Sequence, residues 1–109
     1  MTLYKVFYSS MALSDLDKIW DDIYEISCDF DIADEYIKGI RAAVNEMAGR
    51  PKSGIPLYYS DIFTGVYMVV YKKYIAFYRI GNERIEVGRV MLGSSDYLSK
   101  LVDYLRLDI

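Results

Sequence analysis

Val66-Tyr-Met-Val-Val-Tyr71, Lys72-Lys73, Tyr74-Ile-Ala-Phe-Tyr-Arg-Ile80, Gly81-Asn82, then Glu83 through Leu92: the reading of this stretch decides the fold. Two tyrosine-rich apolar runs flank a lysine doublet, and an alternating segment follows a Gly-Asn pair. Runs rich in Val, Ile, Tyr and Phe, separated by two-residue polar or glycine breaks, read as consecutive antiparallel hairpins. Such a meander presents a sheet face, and here that face carries Arg79 and Arg89 among tyrosines. It is the first place to look for function.

Working toward the N-terminus, Leu3 to Tyr8 reads as a strand with both phases largely apolar, the pattern of a central strand covered on each face. Ser9-Ser10 supplies a helix cap. Ala12, Leu13, Leu16, Ile19, Trp20, Ile23 and Ile26 then recur at the spacing of an amphipathic helix. Asp15, Asp17, Lys18, Asp21, Asp22 and Glu25 fill its other face and read as solvated. Asp31 is placed to cap a second helix, whose buried stripe is Ile32, Tyr36, Ile37, Ile40, Val44 and Met47. Gly39 inside that helix costs about 1 kcal/mol against Ala, which predicts a close approach to the first helix. Gly49-Arg50-Pro51 ends it, so the two helices form an antiparallel hairpin.

Lys52 to Gly65 contains Pro56 and two glycines and reads as the one long irregular segment. Beyond the meander, Ser94 or Ser95 is placed to cap a closing helix through Leu98, Leu101, Val102 and Leu105. The expected order is β-α-α-β-β-β-α. That is an α+β domain, an antiparallel meander sheet with a helical hairpin packed on one face, spanning residues 1–109 as a single unit.

The bulk composition narrows the chemistry. The chain has no histidine, so imidazole is excluded as base, acid or ligand, and neither a metal nor a cofactor is expected. One cysteine, Cys28, cannot form an internal disulfide and fits a reducing cytoplasm. No apolar stretch approaches the ~20 residues of a membrane span, and the first ten residues lack a signal-peptide pattern. Charge is unevenly spread. Residues 1 to 49 hold ten acids against four bases, while residues 50 to 109 hold nine bases against six acids. A polyanion would meet the second half.

Several short pieces, in the right order, resemble the RelE/ParE superfamily of bacterial type II toxins. They are Tyr4-Lys5-Val6 with Ser9 and Ala12, Leu16-Asp17 with Ile19, Pro51 with Gly54 and Leu57, and Tyr74-Ile75-Ala76-Phe77-Tyr78-Arg79-Ile80. The closing Arg89-Val90-Met91-Leu92-Gly93 and Asp96-Tyr97 are similar to the superfamily's "RVL-G-DY" ending. The resemblance implies a RelE/ParE-like fold and a toxin neutralised in the cytoplasm by a cognate antitoxin, in a toxin–antitoxin hetero-oligomer. It does not fix the mode of poisoning, because relatives either cut messenger RNA on the ribosome or inhibit DNA gyrase.

Cleavage through a ribose hydroxyl needs a base, a donor to the leaving oxygen and cations about the phosphate. In the RelE-like nucleases these roles fall on sheet lysines and arginines, with a C-terminal tyrosine stacking on a base. Here the matching positions are Val66, Met68, Ile75 and Ser94-Ser95, and only Tyr97 keeps its type. That pattern disfavours the nuclease. A rearranged set remains conceivable: Arg79 and Arg89 as forks on a phosphate, Tyr78 and Tyr97 as stacking rings, Lys72 and Lys73 on the neighbouring turn. The competing reading makes Arg79 and Arg89 structural, paired with Glu83, Glu86 or Asp96. The leading expectation is a gyrase-type inhibitor. The alternatives are a ribosome-dependent endoribonuclease and a degenerate, weakly toxic member that only binds antitoxin.

Overall fold

The computed structural model describes residues 3–94 and 100–101. The expected closing helix, apart from Lys100 and Leu101, and Tyr97 lie outside them. Strand β1 (Lys5–Tyr8) runs directly into helix α1 (Ser10–Ser27), which is followed by α2 (Phe30–Glu46). A single 3-10 turn (Pro51–Ser53) then leads to β2 (Ile55–Tyr59), β3 (Ile62–Tyr71), β4 (Tyr74–Gly81) and β5 (Arg84–Leu92). The five strands form one sheet in the order β1-β5-β4-β3-β2. The last four strands form the antiparallel meander, and β1 joins it in parallel against β5, so the sheet is mixed.

Local chemistry explains the helical hairpin. Ser9 caps α1, its Oγ accepting from the Ala12 N–H at 3.0 Å while its hydroxyl donates to the Gly88 carbonyl at 2.8 Å. One side chain thus starts the helix and ties it to β5. Cys28 ends α1 in the left-handed conformation at φ 55, and its N–H bonds the Tyr24 carbonyl. The cap of α2 is Asp29 rather than the expected Asp31: its carboxylate accepts from Asp31 N–H at 2.8 Å and Ile32 N–H at 3.3 Å. Ile32, expected in the buried stripe, is 42% exposed, and Ala33 takes the core position with Ile40 and Val44. Gly39 makes its close approach to the Tyr71 ring on β3, not to α1.

The core is split by the sheet. On the helix side Leu16, Ile19, Ile40, Val44, Tyr74, Ala76, Tyr78, Ile85, Val87 and Val90 pack together. On the far side a smaller cluster holds Leu57, Val66, Phe77, Met91 and Leu101, with Met68 and Ile75 against it. Alternation along β4 sends Tyr78 to one layer and Phe77 to the other.

Two expectations are corrected. The segment Lys52 to Gly65 is not irregular but supplies the 3-10 turn, β2 and the start of β3, so four strands follow the hairpin instead of three. And β1 is an edge strand, with Phe7 47% exposed. Its second apolar phase faces a largely open surface rather than a second layer.

Candidate functional site

The register aligns one row of side chains across the far face: Phe7 opposes Glu86, and Glu86 opposes Arg79. With Tyr8, Ser9, Val87 and Gly88 these residues line a cleft of about 290 Å³ beside the start of α1. Arg84 adds a second guanidinium, 5.4 Å from the centroid of the Phe7 ring, with its Nη2 2.7 Å from the Glu86 carboxylate. Lys5 pairs with Arg84 across the strands and is exposed. The result is a half-open surface with three cations, one carboxylate and an accessible aromatic ring. Its chemistry is recognition: guanidiniums for an anion or carboxylate, an edge ring for stacking.

Arg89 takes a different course. Opposite Phe77 its backbone starts on the same far face as Arg79. Its Nε and Nη2, however, donate to the two oxygens of Asp15 on α1 at 2.8 and 3.1 Å, and the Val90 N–H donates to the same carboxylate at 2.9 Å. The reason is topological. β1 pairs with β5 only as far as Val87, where the chain turns into α1, so the outer edge of β5 beyond that point lacks a strand neighbour. Asp15 substitutes for one. Both side chains are only 17% exposed, and the hydrogen bonds that Arg89 donates to Asp15 push its guanidinium further up. Asp15 was expected on a solvated face and instead is mostly buried against Arg89; the competing reading that made Arg89 structural holds, but its partner is Asp15 and not Glu83, Glu86 or Asp96. The anticipated fork of Arg79 and Arg89 onto one phosphate is not formed, because Arg89 forks onto Asp15.

The other candidates also separate. Tyr78 is wholly buried on the helix side, its hydroxyl donating 2.6 Å to the Pro51 carbonyl. Burial pushes its phenol up to about 12. It is a core latch, not a stacking platform. Lys72 lies 4.7 Å over the Tyr36 ring and 5.5 Å over Tyr71, fastening the β3–β4 turn to α2, while Lys73 is exposed and its carbonyl accepts from Gly93 N–H. Val66, Met68 and Ile75 all belong to the far-side apolar cluster closed by Leu101. Among the described residues no group of three or more Cys, Asp or Glu side chains is placed to hold a metal ion.

Sequence reasoning named Glu86 as a partner for Arg79, and the register sets the two opposite each other; it missed Phe7 and Arg84 as members of this region and Asp15 as the partner of Arg89. Phe7 and Lys5 do share a strand phase with one another, which was a legible sign of a mixed exposed face. Nothing local announced the Asp15–Arg89 pair, whose members are 74 positions apart.

A helical hairpin on a five-stranded mixed sheet is the architecture of the RelE/ParE-like toxins. Two solved structures share it. One is the chromosomal ParDE toxin–antitoxin system from P. aeruginosa, with a TM-score of 0.68 and 18% identity over 83% of this chain and 96% of that one. The other is the RelBE2 toxin–antitoxin complex from Mycobacterium tuberculosis, with a TM-score of 0.55 and 21% identity over 87% and 97%. No curated protein matches in sequence. The family model of the ParE toxin of the type II toxin–antitoxin system parDE matches residues 6–97, and the chain belongs to that family.

Proposed function

We propose that this ParE-type toxin arrests growth by binding and inhibiting an intracellular macromolecule, with DNA gyrase as the family precedent, and that it does so without cutting RNA. The observation that carries this reading is the closed apolar cluster on the far face. The positions where the nuclease branch sets its cations are Val66, Met68 and Ile75, and here they pack with Phe77, Met91 and Leu101. An apolar, desolvated patch offers nothing to stabilise a crowded phosphate, and each missing cation contact removes about 3 kcal/mol from such a transition state. The nearest cationic surface is the Lys5, Arg79 and Arg84 patch beside Phe7, which suits docking better than catalysis.

The toxin acts in the cytoplasm and is held inactive by a cognate antitoxin in a hetero-oligomer. Support for that partner comes from the two similar structures, both toxin–antitoxin systems. An acidic antitoxin segment would find its complement in residues 50 to 109 and would cover Arg79. Inducible expression tests the whole reading. Growth arrest with gyrase-linked DNA breaks and an SOS response is the expected result. Codon-phased cleavage in primer extension on messenger RNA would replace the inhibitor with an endoribonuclease, and absence of arrest would leave only an antitoxin-binding protein.

A further inference from the structure

The tip of the helical hairpin carries a surface that the toxin reading does not use. Trp20, Tyr24 and Phe30 stack into a triangle, with centroids 5.4, 4.7 and 5.7 Å apart and ring planes within 25°. The Trp20 indole N–H donates 2.8 Å to Asp34. These contacts close the turn between α1 and α2, and a clamp alone would explain them. It would not explain why Phe30 is left 61% exposed. Large aromatic groups left in water at a cluster mark an interaction surface.

Charge identifies the occupant. Residues 17 to 35 contain eight acids and one base, and that base, Lys18, is already paired with Asp22 at 3.2 Å. Asp17 and Asp21 stand one helical turn before Trp20 and Tyr24, and Asp34 one turn after Phe30, so carboxylates rim the rings. Aromatic rings and a carboxylate rim favour the same ligand.

We propose that the hairpin tip docks a cationic segment of a partner protein, whose arginine or lysine stems lie on the Trp20–Tyr24–Phe30 stack while their charged ends meet Asp17, Asp21 and Asp34. The site is separate from the far-face patch and does not depend on which target the toxin poisons.

Trp20 is the chain's single tryptophan, so its fluorescence reports the site directly. The full chain is titrated with a short peptide alternating arginine and leucine, and with its glutamate–leucine counterpart. The expected result is a saturable change with the basic peptide alone, weakening as salt rises from about 10 to 150 mM and the screening length falls from about 30 to 8 Å. Affinity should drop at least tenfold in the Asp17→Lys/Asp21→Lys variant and in Phe30→Ser, each checked for an unchanged melting curve. The aspartates are exposed, so the first variant retains the fold even if the second does not. Equal binding by the charge-reversed variant, or no binding at all, overturns the proposal. So does a fluorescence change that follows protein concentration without peptide, since sedimentation would then assign the patch to a second copy of the chain.

Discussion

A guanidinium on a sheet face can grip an external anion or hold a neighbouring element, and its partners tell which. Arg89 gives both of its available edge donors to Asp15, and the same carboxylate satisfies the Val90 N–H. Removing Asp15 therefore strands a mostly buried cation and a backbone donor at once. Asp15→Ala should cost about 2 kcal/mol or more, read as a lower urea midpoint. Combining it with Arg89→Ala should cost clearly less than the two single losses added together, because the groups act as one unit. Tyr78 makes a second residue-scale prediction, this time in pH. Its phenol is raised to about 12 in the fold against 10.0 unfolded, so the native state binds the proton more tightly. The stabilisation is complete below pH 10 and is lost as pH rises from 10 toward 12, by an amount on the order of 2 kcal/mol. Tyr8 and Tyr74 are raised as well and add to the same slope. A Tyr78→Phe variant should be less stable at neutral pH and show a shallower alkaline decline in its denaturation midpoint.

Among the elements, β2 was the one hidden in the sequence. Its hairpin with β3 turns on Ser60 and Asp61, both at positive φ, 50 and 66, the conformation of a two-residue turn that ordinarily selects Asn-Gly. Ser-Asp carries no such signal. Pro56 also argued against a strand, and it is tolerated only because β2 lies at the sheet edge with a register shift between Pro56 and Tyr58. The Ser60→Asn/Asp61→Gly variant should therefore relieve strain and raise stability by roughly 0.5–1 kcal/mol, measured by thermal or urea unfolding. A drop in stability would mean that the Ser60 or Asp61 side chain makes a contact worth more than the backbone strain. By contrast, α1, α2, β3, β4 and β5 were all legible: the helices repeat apolar residues at the helical period, β3 and β4 contain apolar runs rich in Val, Ile, Tyr and Phe between polar breaks, and β5 alternates. Only their ends moved, as when the cap of α2 shifted to Asp29. The Asn82–Glu83 turn likewise falls one residue past the Gly-Asn pair, with Glu83 at φ 54.

At the scale of the whole molecule, what the sequence could not show was the placement of β1. The run Leu3 to Tyr8, largely apolar in both phases but broken by Lys5, suits a central strand or an edge strand equally, and only the crossover through α1 and α2 decides that β1 pairs in parallel at the end of the sheet. That placement determines the candidate site. A short β1 leaves Phe7 exposed, brings Glu86 between Phe7 and Arg79, and frees the lower edge of β5 for Asp15. It thereby gives two arginines that look equivalent in sequence different work. Arg79 faces an open cleft, and Arg89 joins the layers. Their variants should part accordingly. Arg79→Ala should fold with a melting temperature well above that of Arg89→Ala, at a cost of about 1 kcal/mol for trimming a half-buried side chain that lines the cleft, and it should lose growth arrest on induction while still binding antitoxin. Arg89→Ala should lower the melting temperature markedly, and any loss of toxicity should track the loss of folded protein. An Arg79→Lys variant separates charge from geometry. It keeps the cation but not the planar fork, so partial toxicity points to simple charge attraction and full loss to bidentate recognition. If Arg79→Ala instead arrests growth as the parent does, the far-face patch is not the surface that meets the target.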